Sequence, residues 1–163
     1  MSRSNGLREE PRMRDVRLRS KKKVSDSVSR ATQFPDPSVQ VSWGELLDKI
    51  TILEIKASRL RSVAATANVV RELTMLQASA AVAYRSSPGV ASLKDELSGI
   101  NELLWDIENK IREKEAAKNF DLEFIELARA VYLNNDKRAG LKRQINRLMK
   151  SDLIEEKQYT TYS

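Results

Sequence analysis

Apolar side chains return at intervals of four and three residues through most of the second half of the chain, which obliges helices to pair there. Leu93, Leu97, Ile100, Leu104, Ile107 and Ile111 alternate four and three without a slip. Such a stripe is a coiled-coil-like seam about 25 residues long, or ~37 Å of helix. Phe124, Leu127, Val131, Asn134, Arg138, Leu141, Ile145 and Leu148 hold the same alternation for seven intervals. A strand cannot keep this period.

Two polar residues, Asn134 and Arg138, occupy the second seam where apolar side chains belong. Either the helix is continuous and carries them inward, the reading preferred here, or it breaks and recaps at residues 134–136. A buried guanidinium needs a carboxylate opposite it. Glu54 flanks the first helix's stripe beside Leu53, and Glu108 flanks Ile107, so these are the expected partners of Arg138 in a polar notch. Such a notch fixes helix register, or, as the second reading, receives a small anion.

Earlier in the chain, Ser42-Trp43-Gly44-Glu45 has the form of a capping box, with Val41 and Leu46 placed to staple it. Leu46, Ile50, Leu53, Ala57 and Leu60 carry the helix to about residue 62. A weaker Ala-rich segment over 67–84 is the second helix, ended by Ser86-Ser87-Pro88-Gly89. The third helix is expected to start near Ser92, and Asp121 should cap the last. Residues 151–163 have no helical period and either cross the bundle or fray. The fold class expected is all-α: a long antiparallel helical hairpin or a bundle of three to four helices.

The first forty residues hold ten Lys/Arg against five Asp/Glu, so five of the six net positive charges lie there. Arg12, Arg14, Arg17, Arg19, Lys21, Lys22 and Lys23 form a basic run with no aromatic among them. This reads as a disordered basic tail over 1–38, able to attract a polyanion without selecting one. The helical domain is 39–163. Met13 is an alternative start, which would make part of the tail non-native.

Zero cysteines and zero histidines exclude disulfides, thiol nucleophiles and imidazole general bases. No Gly-rich phosphate loop occurs, and neither a secretory signal nor a membrane span is expected. No metal site and no cofactor are expected. A cytoplasmic location follows.

Three function classes remain. The first is a non-enzymatic accessory or adaptor protein with a protein partner, Trp43, Tyr132, Tyr159 and Tyr162 being interface anchors or, on the plainer view, packing at the core edge. Heptad-like stripes also make a homo-oligomer an expectation. The second is an all-helical enzyme on an anionic metabolite. By analogy with helical chorismate mutases, Lys49, Arg112, Arg129, Arg138 and Lys142 would be its anion-binding cations, with Glu54, Glu108 or Glu126 as carboxylate. Its variant, a Mg-dependent nucleotide pyrophosphohydrolase, would use Glu45 and Asp48, which share a helix face. The third is nucleic-acid binding through the tail.

The words SWGELLDKITILEIK (42–56), ELLWDIENKIRE (102–113), FIELARAVYLNNDKRAGLKRQIN (124–146) and IEEKQY (154–159) resemble a family of short bacterial all-helical proteins bearing a domain of unknown function. The similarity covers roughly residues 39–163. It implies no reaction. It implies a bacterial cytoplasmic protein and a genomic setting near glycosyltransferase and surface-polysaccharide genes.

Overall fold

The structure, a computed structural model, describes residues 37–156. Expectations for Arg12 to Lys23, Tyr159 and Tyr162 lie outside the described residues. Contacts divide the chain into Met1–Pro37 and Ser38–Ser163. The second unit holds four helices, α1 (Trp43–Arg59), α2 (Val63–Ser86), α3 (Gly89–Ala116) and α4 (Leu122–Leu148), with no strand among the described residues.

Ser42 caps α1, its Oγ accepting from the Glu45 amide at 3.3 Å. The reciprocal half of the box does not form. The Glu45 carboxylate turns to Lys142 instead, and Val41 stays more than half exposed, which leaves little staple. A charged partner on another helix outcompetes the local amide. The helix closes at Arg59, earlier than periodicity suggests, because Ser62 starts the next one by accepting from the Ala65 amide. Helix α2 therefore gains a turn over the expected segment, aided by Ala64 and Ala65, both strong helix formers.

Helix α3 also begins early, at Gly89. Pro88 already holds helical angles (φ −57°, ψ −32°), and fully buried Val90 anchors the first turn. Asp121 caps α4 by accepting from the Phe124 amide at 3.0 Å. Helix α4 then runs unbroken through residues 134–136. A continuous helix wins there because no proline intervenes and Arg138 finds a charge partner.

Leu47, Ile50, Ala80, Ala83, Val90, Leu97, Leu141 and Ile145 form the core. Ala80 and Ala83 are fully buried, so their small side chains let α2 lie close. Helix α1 touches all three others, whereas α2 leans chiefly on α1. Helices α3 and α4 make the most extensive pair, the long antiparallel hairpin anticipated from their seams. At ~1.5 Å per residue the 17-residue α1 covers only part of these 28- and 27-residue partners. Its last residue, Arg59, pairs with Asp106, midway along α3.

Two Schellman-type turns close the hairpin helices. Lys118 (φ 53°) follows α3, with the Asn119 amide donating to Lys114 O at 2.9 Å; Lys150 (φ 51°) follows α4, with the Ser151 amide donating to Asn146 O at 2.8 Å. Lys114 reaches across the first turn to both Asp121 and Glu123, joining the ends of the two helices.

Candidate functional site

Polar side chains from three helices meet at one level of the bundle. Asp48 of α1 lies against Asn101 of α3 and Arg138 of α4, and Asp48, Thr51, Asn101 and Asn134 are all buried. Asp48 Oδ1 accepts from Arg138 Nε at 2.8 Å and from Asn101 Nδ2 at 2.9 Å, while Oδ2 accepts from Arg138 Nη2 at 2.5 Å. The guanidinium thus grips the carboxylate with two parallel bonds, the arrangement that makes arginine suited to buried pairs. The second Nδ2 hydrogen of Asn101 goes to Thr51 Oγ1 at 2.8 Å, and that hydroxyl donates to Asp48 O. Arg138 is held above its ordinary pKa by the Asp48 hydrogen bonds, with desolvation opposing them.

One turn further along, Lys142 donates to Glu45 at 2.5 Å and lies 2.6 Å from Glu155 in the segment after α4. Burial acts to lower its pKa, and the bonds to Glu155 and Glu45 more than offset this, leaving it raised. Beyond Lys142 the start of α1 is clasped by the end of α4. The Gly44 amide donates to Asn146 Oδ1 at 2.6 Å and the Trp43 amide to Ser151 Oγ at 3.0 Å. With Ser42, three side chains therefore satisfy the first three amides of α1, groups a helix cannot pair internally. Gly44 is required by this approach, because a Cβ there would stand 2.6 Å from Lys142 O.

These contacts correct the expected partnerships. Arg138 pairs with Asp48 and not with Glu54 or Glu108. Glu54 binds Lys94 at 2.7 Å, and Glu108 binds Arg112 at 2.8 Å on an exposed face of α3. Asp48 precedes Glu54 by roughly 1.7 turns of α1, and the rotation of that helix decides which of its carboxylates faces α4. Asn134 is buried beside the layer, where its Nδ2 donates back to Ala130 O at 2.8 Å and its Oδ1 has no hydrogen-bond partner among the described residues.

The candidate anion-binding cations occupy separate surroundings. Lys49 pairs with Glu72 across to α2 at 3.0 Å on the surface, Arg112 with Glu108, and Lys142 with Glu45 and Glu155, while Arg129 is exposed on α4. Glu45 and Asp48 are each taken by a cation of α4, so neither is a free ligand on a shared face. Among the described residues no cluster of three or more acidic side chains is placed to hold a metal ion. Trp43 is half-buried against the core and Tyr132 lies partly exposed on α4.

Thr51, Asn101, Asn146, Ser151 and Glu155 escaped the sequence reading, and Asp48 entered it only beside Glu45 as a carboxylate for magnesium chemistry, not as the partner of Arg138. Asn101 left a signal, since it stands four residues after Leu97 and three before Leu104, a seam position as good as that of Ile100. A polar residue inside the stripe of α3, matched by two inside α4, indicates a polar layer crossing the bundle. Ser151 and Glu155 left none, because they act from an irregular segment.

Residues 38–163 match the model of a family of unknown function (DUF6165). Neither the curated proteins nor the solved structures contain a match to the chain. Among the described residues no helix is long and apolar enough to cross a membrane.

Proposed function

The chain belongs to the DUF6165 family, and we propose that it works as a non-enzymatic helical adaptor that binds a partner protein. The observation that supports this is the pairing of the two buried charges with partly buried partners: Asp48 with Arg138, and Lys142 with Glu45 and Glu155. An acid, base or anion-binding group must have a lone pair or donor left for substrate. Here the facing atoms of Asp48 and Arg138, and of Glu45 and Lys142, bind each other and join α1 to α4, while Glu155 binds Lys142 from the segment after α4. The same groups that would serve an enzyme act to hold a helical platform rigid. Component proteins of glycosyltransferase and surface-polysaccharide systems are the partners to try first, in a bacterial cytoplasmic setting, as the sequence resemblance suggests.

The test pairs two measurements on the full chain. Affinity capture followed by reconstitution with the purified partner should give a saturable complex. A panel of anionic metabolites and nucleotides with Mg²⁺ should give neither turnover nor a saturable rise in melting temperature. Saturable binding of a small anion that is lost in Lys142→Gln, with the helical signal kept, would show that the polar layer is a ligand site and overturn the proposal.

A further inference from the structure

Helix α4 carries a second seam on the side away from α3. Leu122, Glu126, Arg129 and Leu133 follow one another at intervals of four, three and four, and all four are exposed. At ~100° per residue they lie roughly 150° round the helix from Phe124, Leu127, Val131 and Asn134, the seam that faces α3. Leu122 is 70 % exposed and Leu133 39 %, and Ile125, 52 % exposed, flanks them. The bonds that tie α1 to α4 fall between Arg138 and Asn146, so α1 does not reach this stripe. The apolar residues exposed on α2 are arranged differently. Val63 with Val70, and Met75 with Val82, form two pairs on different flanks of that helix and make no continuous stripe.

The order of residues in the stripe specifies its occupant. It reads leucine, acid, base, leucine, which is self-complementary when a second copy runs antiparallel. With a two-fold axis level with Leu127 and Ala128, Leu122 meets Leu133 of the other copy, and Glu126 meets Arg129, each contact occurring twice. Neither Glu126 nor Arg129 has an ion-pair partner among the described residues, although i, i+3 spacing would allow them to pair with each other. Their side chains are available to cross such an axis. An isologous contact of this kind closes on itself and gives a dimer, not a filament.

We infer that the outer seam of α4, centred on Glu126 and Arg129, pairs antiparallel with the same seam of a second copy to form a homodimer. The dimer does not depend on the adaptor reading. Either can fail without the other, because the experiments use different surfaces and different ligands.

Sedimentation velocity of the full chain over a range of concentrations tests it, with helicity followed by circular dichroism. The wild type should pass from monomer to dimer with a Kd on the order of micromolar, as befits a short seam. Glu126→Arg or Arg129→Glu alone places four like charges across the axis, and each should weaken the dimer at least about tenfold. Both substitutions together restore opposite charges and should return the Kd to within about threefold of the wild type. Leu133→Asp should leave a helical monomer. A wild type that remains monomeric at about a hundredfold the expected Kd, a dimer indifferent to single reversal, or a double reversal that fails to recover would each overturn the inference. So would a monomer whose stripe captures a different protein.

Discussion

Gly44 and Asn134 show opposite answers to the problem of a crowded polar contact between helices. At Gly44 the backbone of α1 comes so close to α4 that a single methyl group would stand 2.6 Å from a carbonyl oxygen and 2.9 Å from Asn146 Oδ1. Backbone cannot step aside as a side chain tip can, so Gly44→Ala should push the helix ends apart. The expected loss is about 2 kcal/mol or more, despite the better helix propensity of alanine. Denaturant unfolding checks it, and a stabilised variant would show that the clasp at α1's start is loose. Asn134 is the converse case. Its buried Oδ1 has no partner among the described residues, so Asn134→Leu should remove a desolvation cost and extend the seam. A gain of about 1 kcal/mol is expected by the same measurement. A loss would mean that the asparagine supports Arg138 in a way its recorded bonds do not show.

At the scale of elements, the long stripes of α3 and α4 were legible because each keeps its three-four spacing throughout, even where Asn134 and Arg138 stand in it, and has a marked end. The starts of α2 and α3 were less so. Ser62 and Pro88 begin helices without an acidic residue three places on, so the boxes by which starts are recognised were missing. The ends of α3 and α4 carry no glycine signal, since lysine holds the left-handed position usually given to that residue. That choice leaves strain. Lys118→Gly should stabilise the protein by about 0.5–1 kcal/mol by relieving its positive φ. The cost of losing the exposed Lys118–Glu115 pair is small by comparison. A lower thermal midpoint for the variant would indicate that the turn tolerates lysine without penalty.

For the molecule as a whole, a polar layer was foreseeable and its wiring was not. Asn134 and Arg138 announced a break in the apolar seam, yet the identity of the opposing carboxylate depended on the rotation of α1. That rotation is set by Gly44, Asn146 and Ser151, contacts more than a hundred residues apart in sequence. Local periodicity carries no information about such pairs. The wiring also has a signature in pH. The Lys142 pKa is raised on folding, so its contribution is complete below its ordinary value of 10.5 and declines as pH rises through the folded value. Tyr84, whose phenol is pushed up chiefly by burial, acts in the same direction above 10.0. Stability should therefore fall at the alkaline end, and the fall should be shallower in Lys142→Gln, as chemical denaturation at stepped pH would reveal. Identical slopes in the two proteins would place the alkaline sensitivity elsewhere.

The Asp48–Arg138 pair is the joint on which the structural reading of the layer rests. A double-mutant cycle with Asp48→Asn and Arg138→Met, followed by denaturant unfolding, measures it directly. If the pair locks α1 to α4, each single substitution should cost about 3 kcal/mol, since it leaves a buried partner unmatched, and the coupling energy should be about 2 kcal/mol or more. Single costs near zero and a coupling below about 0.5 kcal/mol would contradict this, and would return Asp48 and Arg138 to the pool of groups free to bind a ligand.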